Sequence, residues 1–145
     1  MPSLNQIFLI GRLTRADRND ETSTNGAELR YTDSGRPVIR FRLAVDRPGT
    51  DQADFFDVIW WGPSPEGDSD GVKRKRFEQH AAYLRKGRLL LVKGRMQSRT
   101  YETQDGLRRQ VWEVHVGGAG SQVVYLDRLP DEVPPLPDED EAVPF

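Results

Sequence analysis

In the stretch Val38-Ile39-Arg40-Phe41-Arg42-Leu43-Ala44-Val45, the apolar side chains of Ile39, Phe41, Leu43 and Val45 fall on one face of an extended chain, and Arg40 and Arg42 fall on the other. A period of two is the mark of a half-buried β-strand. The next apolar stretch, Asp54-Phe55-Phe56-Asp57-Val58-Ile59-Trp60-Trp61, also alternates, but with large side chains on both faces. Phe56, Val58 and Trp60 make one face, and Phe55, Asp57, Ile59 and Trp61 make the other. The first set suits a core. The second carries two large aromatics where an ordinary strand meets water.

Working outward from these two strands, Asn5 to Leu13 is apolar on both faces and predicts a buried strand. Residues 16–28 are polar and predict a loop with a turn at Asn25-Gly26, and Ser34-Gly35 marks a second turn ahead of Pro37. On the C-terminal side, residues 63–72 predict a loop and residues 76–85 a helix. Phe77, Ala81 and Leu84 form its apolar stripe at i, i+4 and i+7, and Gly87 lies just past its end. Residues 88–95 predict another apolar strand, and residues 97–110 a long hairpin turning at Asp105-Gly106. Strands near 111–116 and 122–126 follow. Three strands, a helix and two more strands is the element order of an OB barrel. The expected fold is therefore all-β: a five-stranded OB-fold barrel, with one short helix between the third and fourth strands covering the open end. This domain is expected to occupy residues 1–129. Residues 130–145, opening with Pro130, Pro134, Pro135 and Pro137, have too little apolar area to fold alone and predict a flexible, disordered acidic C-terminal tail.

The chain of 145 residues suits one domain plus a tail. It contains no cysteine, which excludes a disulfide scaffold, thiolate zinc sites and a cysteine nucleophile. Neither a signal peptide nor an apolar run near the ~20 residues of a membrane span is expected. The net charge of −2 averages two unlike parts. Residues 131–145 hold six acids and no Lys or Arg, leaving 17 acids against 21 bases in residues 1–130. A mildly basic body beside an acidic tail fits a nucleic-acid binder, although charge alone is weak evidence.

Binding single strands without reading their sequence needs cations beside phosphates and flat rings on which bases stack. Arg40, Arg42, Phe55 and Trp61 supply both from adjacent strands, and Arg99, Tyr101, Arg108 and Arg109 supply both from the hairpin. Pattern alone leaves Phe55, Trp61 and Tyr101 open between base platforms and a core or subunit interface. Trp60 and Phe56 are assigned to the core, Trp112 is undecided, and Lys73 to Arg76 read as a solvated charge run. Catalytic residues are not expected. His80 and His115 have no cysteine partners for zinc. Asp46, Asp51, Asp54 and Asp57 are scattered rather than convergent, and Gly117 to Gly120 lack the Lys-Ser/Thr ending of a phosphate loop. No metal or cofactor is expected. The last residues, Asp138-Glu139-Asp140-Glu141-Ala142-Val143-Pro144-Phe145, end in apolar groups that a pure solubility tail does not need. Acids, a terminal ring and a carboxylate make a compact ligand for a basic, apolar pocket on a partner protein.

Several motifs fall in series: Leu9-Ile10-Gly11-Arg12-Leu13, Phe41-Arg42-Leu43-Ala44-Val45, Asp54-Phe55, Trp61-Gly62, Tyr83-Leu84-Arg85-Lys86-Gly87, Val92-Lys93-Gly94-Arg95, and Tyr101 through Gly106. In this order they resemble the bacterial single-stranded DNA-binding protein family across most of residues 3–126, and the tip resembles that family's acidic ending. The resemblance implies stacking roles for Phe55, Trp61 and Tyr101, a homotetramer, and docking of DNA replication and repair proteins on the tip. It also implies a cytoplasmic, nucleoid-associated protein without turnover. Residues 46–52, where some members carry a further stacking Trp, have no aromatic here.

Overall fold

The computed structural model describes residues 2–14 and 26–127. The tail at 130–145 with its tip, and most of the polar loop at 16–28, lie outside the described residues. In chain order the elements are β1 (Ile7–Leu13), β2 (Ala27–Tyr31), β3 (Pro37–Asp46), β4 (Ala53–Trp61), α1 (Val72–Tyr83), β5 (Leu89–Glu102), β6 (Arg108–Val116) and β7 (Gln122–Tyr125).

Five of the strands close a ring. β1 pairs with β3, β3 with β4, β4 with β6, β6 with β5, and β5 returns to β1. Every pairing is antiparallel except β4–β6. This is the expected five-stranded barrel, with α1 between its third and fourth strands. Two shorter strands add to it: β2 lies along β3, and β7 lies along the first half of β5. The strand expected over 88–95 and the first arm of the hairpin expected over 97–110 are one continuous strand, β5. Its first half pairs with β1 and β7 and its second half with β6. Glycines sit where strands change neighbours. A Cβ on Gly94 would stand 2.5 Å from the His115 carbonyl oxygen, and one on Gly11 would stand 2.3 Å from that of Ala44. Only a residue without a side chain lets the backbones approach so closely at a barrel corner.

The alternation in β3 and β4 is realised in three dimensions. Ile39, Phe41, Leu43, Val58 and Trp60 are buried, joined by Leu13, Leu90, Val92, Val114 and Val116. Phe77 and Leu84 drive the helix onto the barrel end as their spacing predicts, with Phe77 edge-on to Trp60 at 5.2 Å. The helix differs from expectation in its bounds. It begins at Val72 and takes in Lys73 to Arg76, the run read as a solvated prelude. The reason lies upstream: the Asp68 carboxylate accepts from the backbone N–H of Lys73 (3.0 Å) and of Arg74 (2.9 Å), and Asp70 accepts from that of Val72. These two acids satisfy the free donors of the first turn and place negative charge at the helix N-terminus, offsetting the basic run there. The hairpin turns where Asp105-Gly106 predicts. Gly106 has φ +79°, and the N–H of Thr103 donates to the Leu107 carbonyl at 2.8 Å.

Candidate nucleic-acid interface

Register fixes which side chains share the outer face of the sheet. Across β3 and β4, Val38 opposes Trp61, Arg40 opposes Ile59, Arg42 opposes Asp57 and Ala44 opposes Phe55. Since Ile39, Phe41 and Trp60 point inward, all eight of these point outward. β6 continues the surface through His115, which is level with Ile59, and β5 continues it through Arg95, Gln97, Arg99 and Tyr101. Four strands therefore present one curved face.

Each of the three rings expected to stack lies on this face beneath a guanidinium group. Arg42 lies 5.1 Å from the centre of the Phe55 ring, Arg36 lies 5.1 Å from that of Trp61, and Arg99 lies 5.6 Å from that of Tyr101. Phe55 is 52% exposed and Tyr101 40% exposed, values far from those of core residues. Trp61 is half-buried: Arg36 covers its face, and Gly117 packs so near that a Cβ there would stand 3.1 Å from the Trp61 Cβ. An open cleft of about 400 Å³ runs beside it, lined by Arg36, Arg95, Gln97, His115, Gly117 and Gly118.

The predicted cations divide by environment. Arg42 has no carboxylate within ion-pair distance among the described residues. Arg108 and Arg109 are exposed near the hairpin tip, with Arg109 opposite Tyr101. Arg99 is shared, since its Nε donates to Glu113 at 3.1 Å. Arg40 is half-buried, with its Nε sealed from solvent and no acceptor in reach among the described residues. Sequence reasoning missed Arg36, Arg95, Glu113 and His115. Arg36 sits in a turn, where its donation to the Gly62 carbonyl at 2.8 Å aims it at Trp61. Glu113 and His115 are polar yet only 5% and 8% exposed. Trp112, left undecided by the sequence, is 58% exposed on β6. Among the described residues no cluster of His, Asp or Glu could hold a metal ion, and no helix is long and apolar enough to cross a membrane.

A five-stranded OB barrel with rings and arginines interleaved on its outer sheet face defines the class: an oligonucleotide-binding fold. Comparison with known proteins narrows it. The profile of the Single-strand binding protein family matches residues 71–122. Single-stranded DNA-binding protein 2 of Clostridium acetobutylicum is 37% identical over 116 residues, covering 77% of this chain and 71% of that protein. The Single-stranded DNA-binding protein of Clostridium tetani is 39% identical over 116 residues, covering 77% of this chain and 65% of that one. For other relatives the share of their length runs from 50% to 65%. A Plasmodium falciparum SSB solved in complex with ssDNA shares the fold at a TM-score of 0.64 and 22% identity, covering 88% of this chain and 98% of that one. This chain belongs to the single-stranded DNA-binding protein family, one of DNA binding rather than catalysis.

Proposed function

We propose that this protein binds and protects single-stranded DNA without sequence preference in replication, recombination and repair. The observation that carries this reading is the set of three outward rings, Phe55, Trp61 and Tyr101, each beneath an arginine on one continuous face. Every base has a π-face and every nucleotide a phosphate, so such a surface holds any sequence. A duplex hides its base faces and should bind poorly. Arg40, Arg42, Arg99, Arg108 and Arg109 supply the backbone contacts, Arg42 and the hairpin pair most freely. No cofactor enters the scheme. The site of action is the cytoplasm, on the nucleoid.

Phe8 and Ile10 alternate outward on β1 at 58% and 56% exposure, beyond the candidate DNA face. That strip supports self-association, and a homotetramer follows from the family resemblance. The C-terminal tip, Asp138 to Phe145, recruits replication and repair proteins. Deleting Phe145 should abolish capture of such a partner by the full chain, measured by calorimetry; unchanged affinity would refute the docking role.

Titration with oligo-dT, following tryptophan fluorescence and light scattering on the same samples, tests the rest. The emission should quench, the mass should correspond to four chains, and affinity should fall with added salt. Trp61→Ala should weaken binding by about 1–3 kcal/mol, the value of one stacked base. Weak binding with no quenching would favour a protein-docking role for this face, and a monomer mass would remove the tetramer.

A further inference from the structure

We infer that His115 is the positioning residue for the Trp61 ring, oriented through a relay that runs from Glu113 to His115 to the indole N–H. The indole N–H of Trp61 donates to Nδ1 of His115 at 2.9 Å. A ring nitrogen that accepts must carry a lone pair, so the imidazole proton sits on Nε2. Nε2 faces Glu113 Oε1 at 3.4 Å, and the other Glu113 oxygen accepts from Arg99 at 3.1 Å. Arg99 in turn lies over Tyr101. Trp61, His115, Glu113, Arg99 and Tyr101 are thus one unbroken string of contacts across β4, β6 and β5.

A stacking ring needs only its π-face, and an indole N–H is satisfied as well by water. A half-buried tryptophan on a binding surface tied instead to a histidine 8% exposed has lost rotational freedom before any ligand arrives. Glu113, 5% exposed, makes that arrangement one-way. Its carboxylate can only accept, so it holds the proton on Nε2 and keeps Nδ1 open for Trp61. The His115 ring also lies nearly parallel to Trp61, at 22° and 6.1 Å, which bounds the platform on the side of the cleft. The consequence is a pre-oriented base platform in which a residue outside the stack contributes to affinity.

The inference rests on Trp61 being a stacking platform, and its test separates the two ideas. His115→Leu removes the acceptor at similar volume, whereas His115→Asn can return an acceptor near the position of Nδ1. Trp61→Phe keeps a stacking ring but has no N–H. In the full chain, His115→Leu should weaken oligo-dT binding about threefold to tenfold, the worth of one hydrogen bond, and His115→Asn should recover most of that loss. In a Trp61→Phe background, His115→Leu should have no further effect. An independent reading without DNA is the Trp61 indole N–H resonance: slow to exchange in the parent and in His115→Asn, fast in His115→Leu. If Trp61→Ala leaves binding unchanged, the stacking reading fails while the indole exchange still judges the relay. Equal losses from His115→Leu with and without the indole N–H, or fast indole exchange in the parent, would overturn the relay itself.

Discussion

Trp60→Ala is expected to lower the unfolding free energy by about 3–5 kcal/mol, the range for deleting a large aromatic from a core. Trp60 is 2% exposed and touches the helix twice, edge-on to Phe77 at 5.2 Å and tilted to His80 at 4.8 Å. It is the side chain on which α1 rests where it covers the barrel end. Alanine would leave a void between two rigid elements, and neither can collapse into it without breaking β3–β4 or β4–β6 pairing. For a domain whose total stability is about 5–15 kcal/mol, that is a large part of the whole. A guanidinium titration should show the midpoint falling at nearly constant slope. The neighbouring substitution, Trp61→Ala, should move stability much less and oligo-dT affinity more. If Trp60→Ala costs under about 1 kcal/mol, below any value expected for a filled core site, the helix is not seated as described.

That two adjacent tryptophans face opposite ways was legible in the sequence, because a strand turns successive side chains to opposite faces and β4 has both faces filled. The same rule placed Ile39, Phe41 and Leu43 inward and Arg42 outward. What alternation cannot supply is partnership. β1 pairs with β5 from Ile7 opposite Gly94 to Arg12 opposite Leu89, and no local pattern records a pairing so distant in the chain. The helix start was missed for a local reason. Four consecutive basic residues oppose the helix dipole, and only the side chains of Asp68 and Asp70, folded back onto the first turn, reverse that preference. In the site, Phe55, Trp61 and Tyr101 stood out because rings on a polar face are anomalous. Glu113 and His115 did not, since polar residues alternating along β6 resemble an ordinary solvated face. They become significant only when parallel pairing sets His115 level with Ile59, next to Trp61. The signal available beforehand was weak: two strands, each with an out-facing residue able to satisfy the other's.

His80 should make the fold acid-sensitive in a window well above that of ordinary carboxylates. It lies in the last turn of α1, where the helix dipole favours a cation by about 0.3–1 kcal/mol. Burial opposes this and wins, pushing the imidazole down from the usual 6.5 to about 4. Its surroundings explain why. Trp60 lies on one side, Tyr125 stacks on it at 5.8 Å, and Tyr83 meets it edge-on. Its Nδ1 lies 2.9 Å from the Tyr125 hydroxyl. The nearby charges belong to Arg88, which lies over Tyr125 and pairs with Asp127 at 3.1 Å, and among the described residues no carboxylate contacts the ring to hold a proton on it. The folded state therefore prefers the neutral ring more than the unfolded chain does. This contribution is fully present above pH 6.5 and is lost as pH falls from there toward 4. The total is about 3 kcal/mol, at a slope approaching 1.4 kcal/mol per pH unit within the window. Urea unfolding at steps between pH 7.5 and 4.5 measures it. His80→Phe keeps the ring stack and removes the titration, so its acid-side loss should be smaller by that amount, and carboxylate contributions common to both proteins cancel in the difference. Parallel pH curves for the two proteins would show that the imidazole is solvated in the folded state and that α1 does not seal the barrel end over Trp60 and Tyr125.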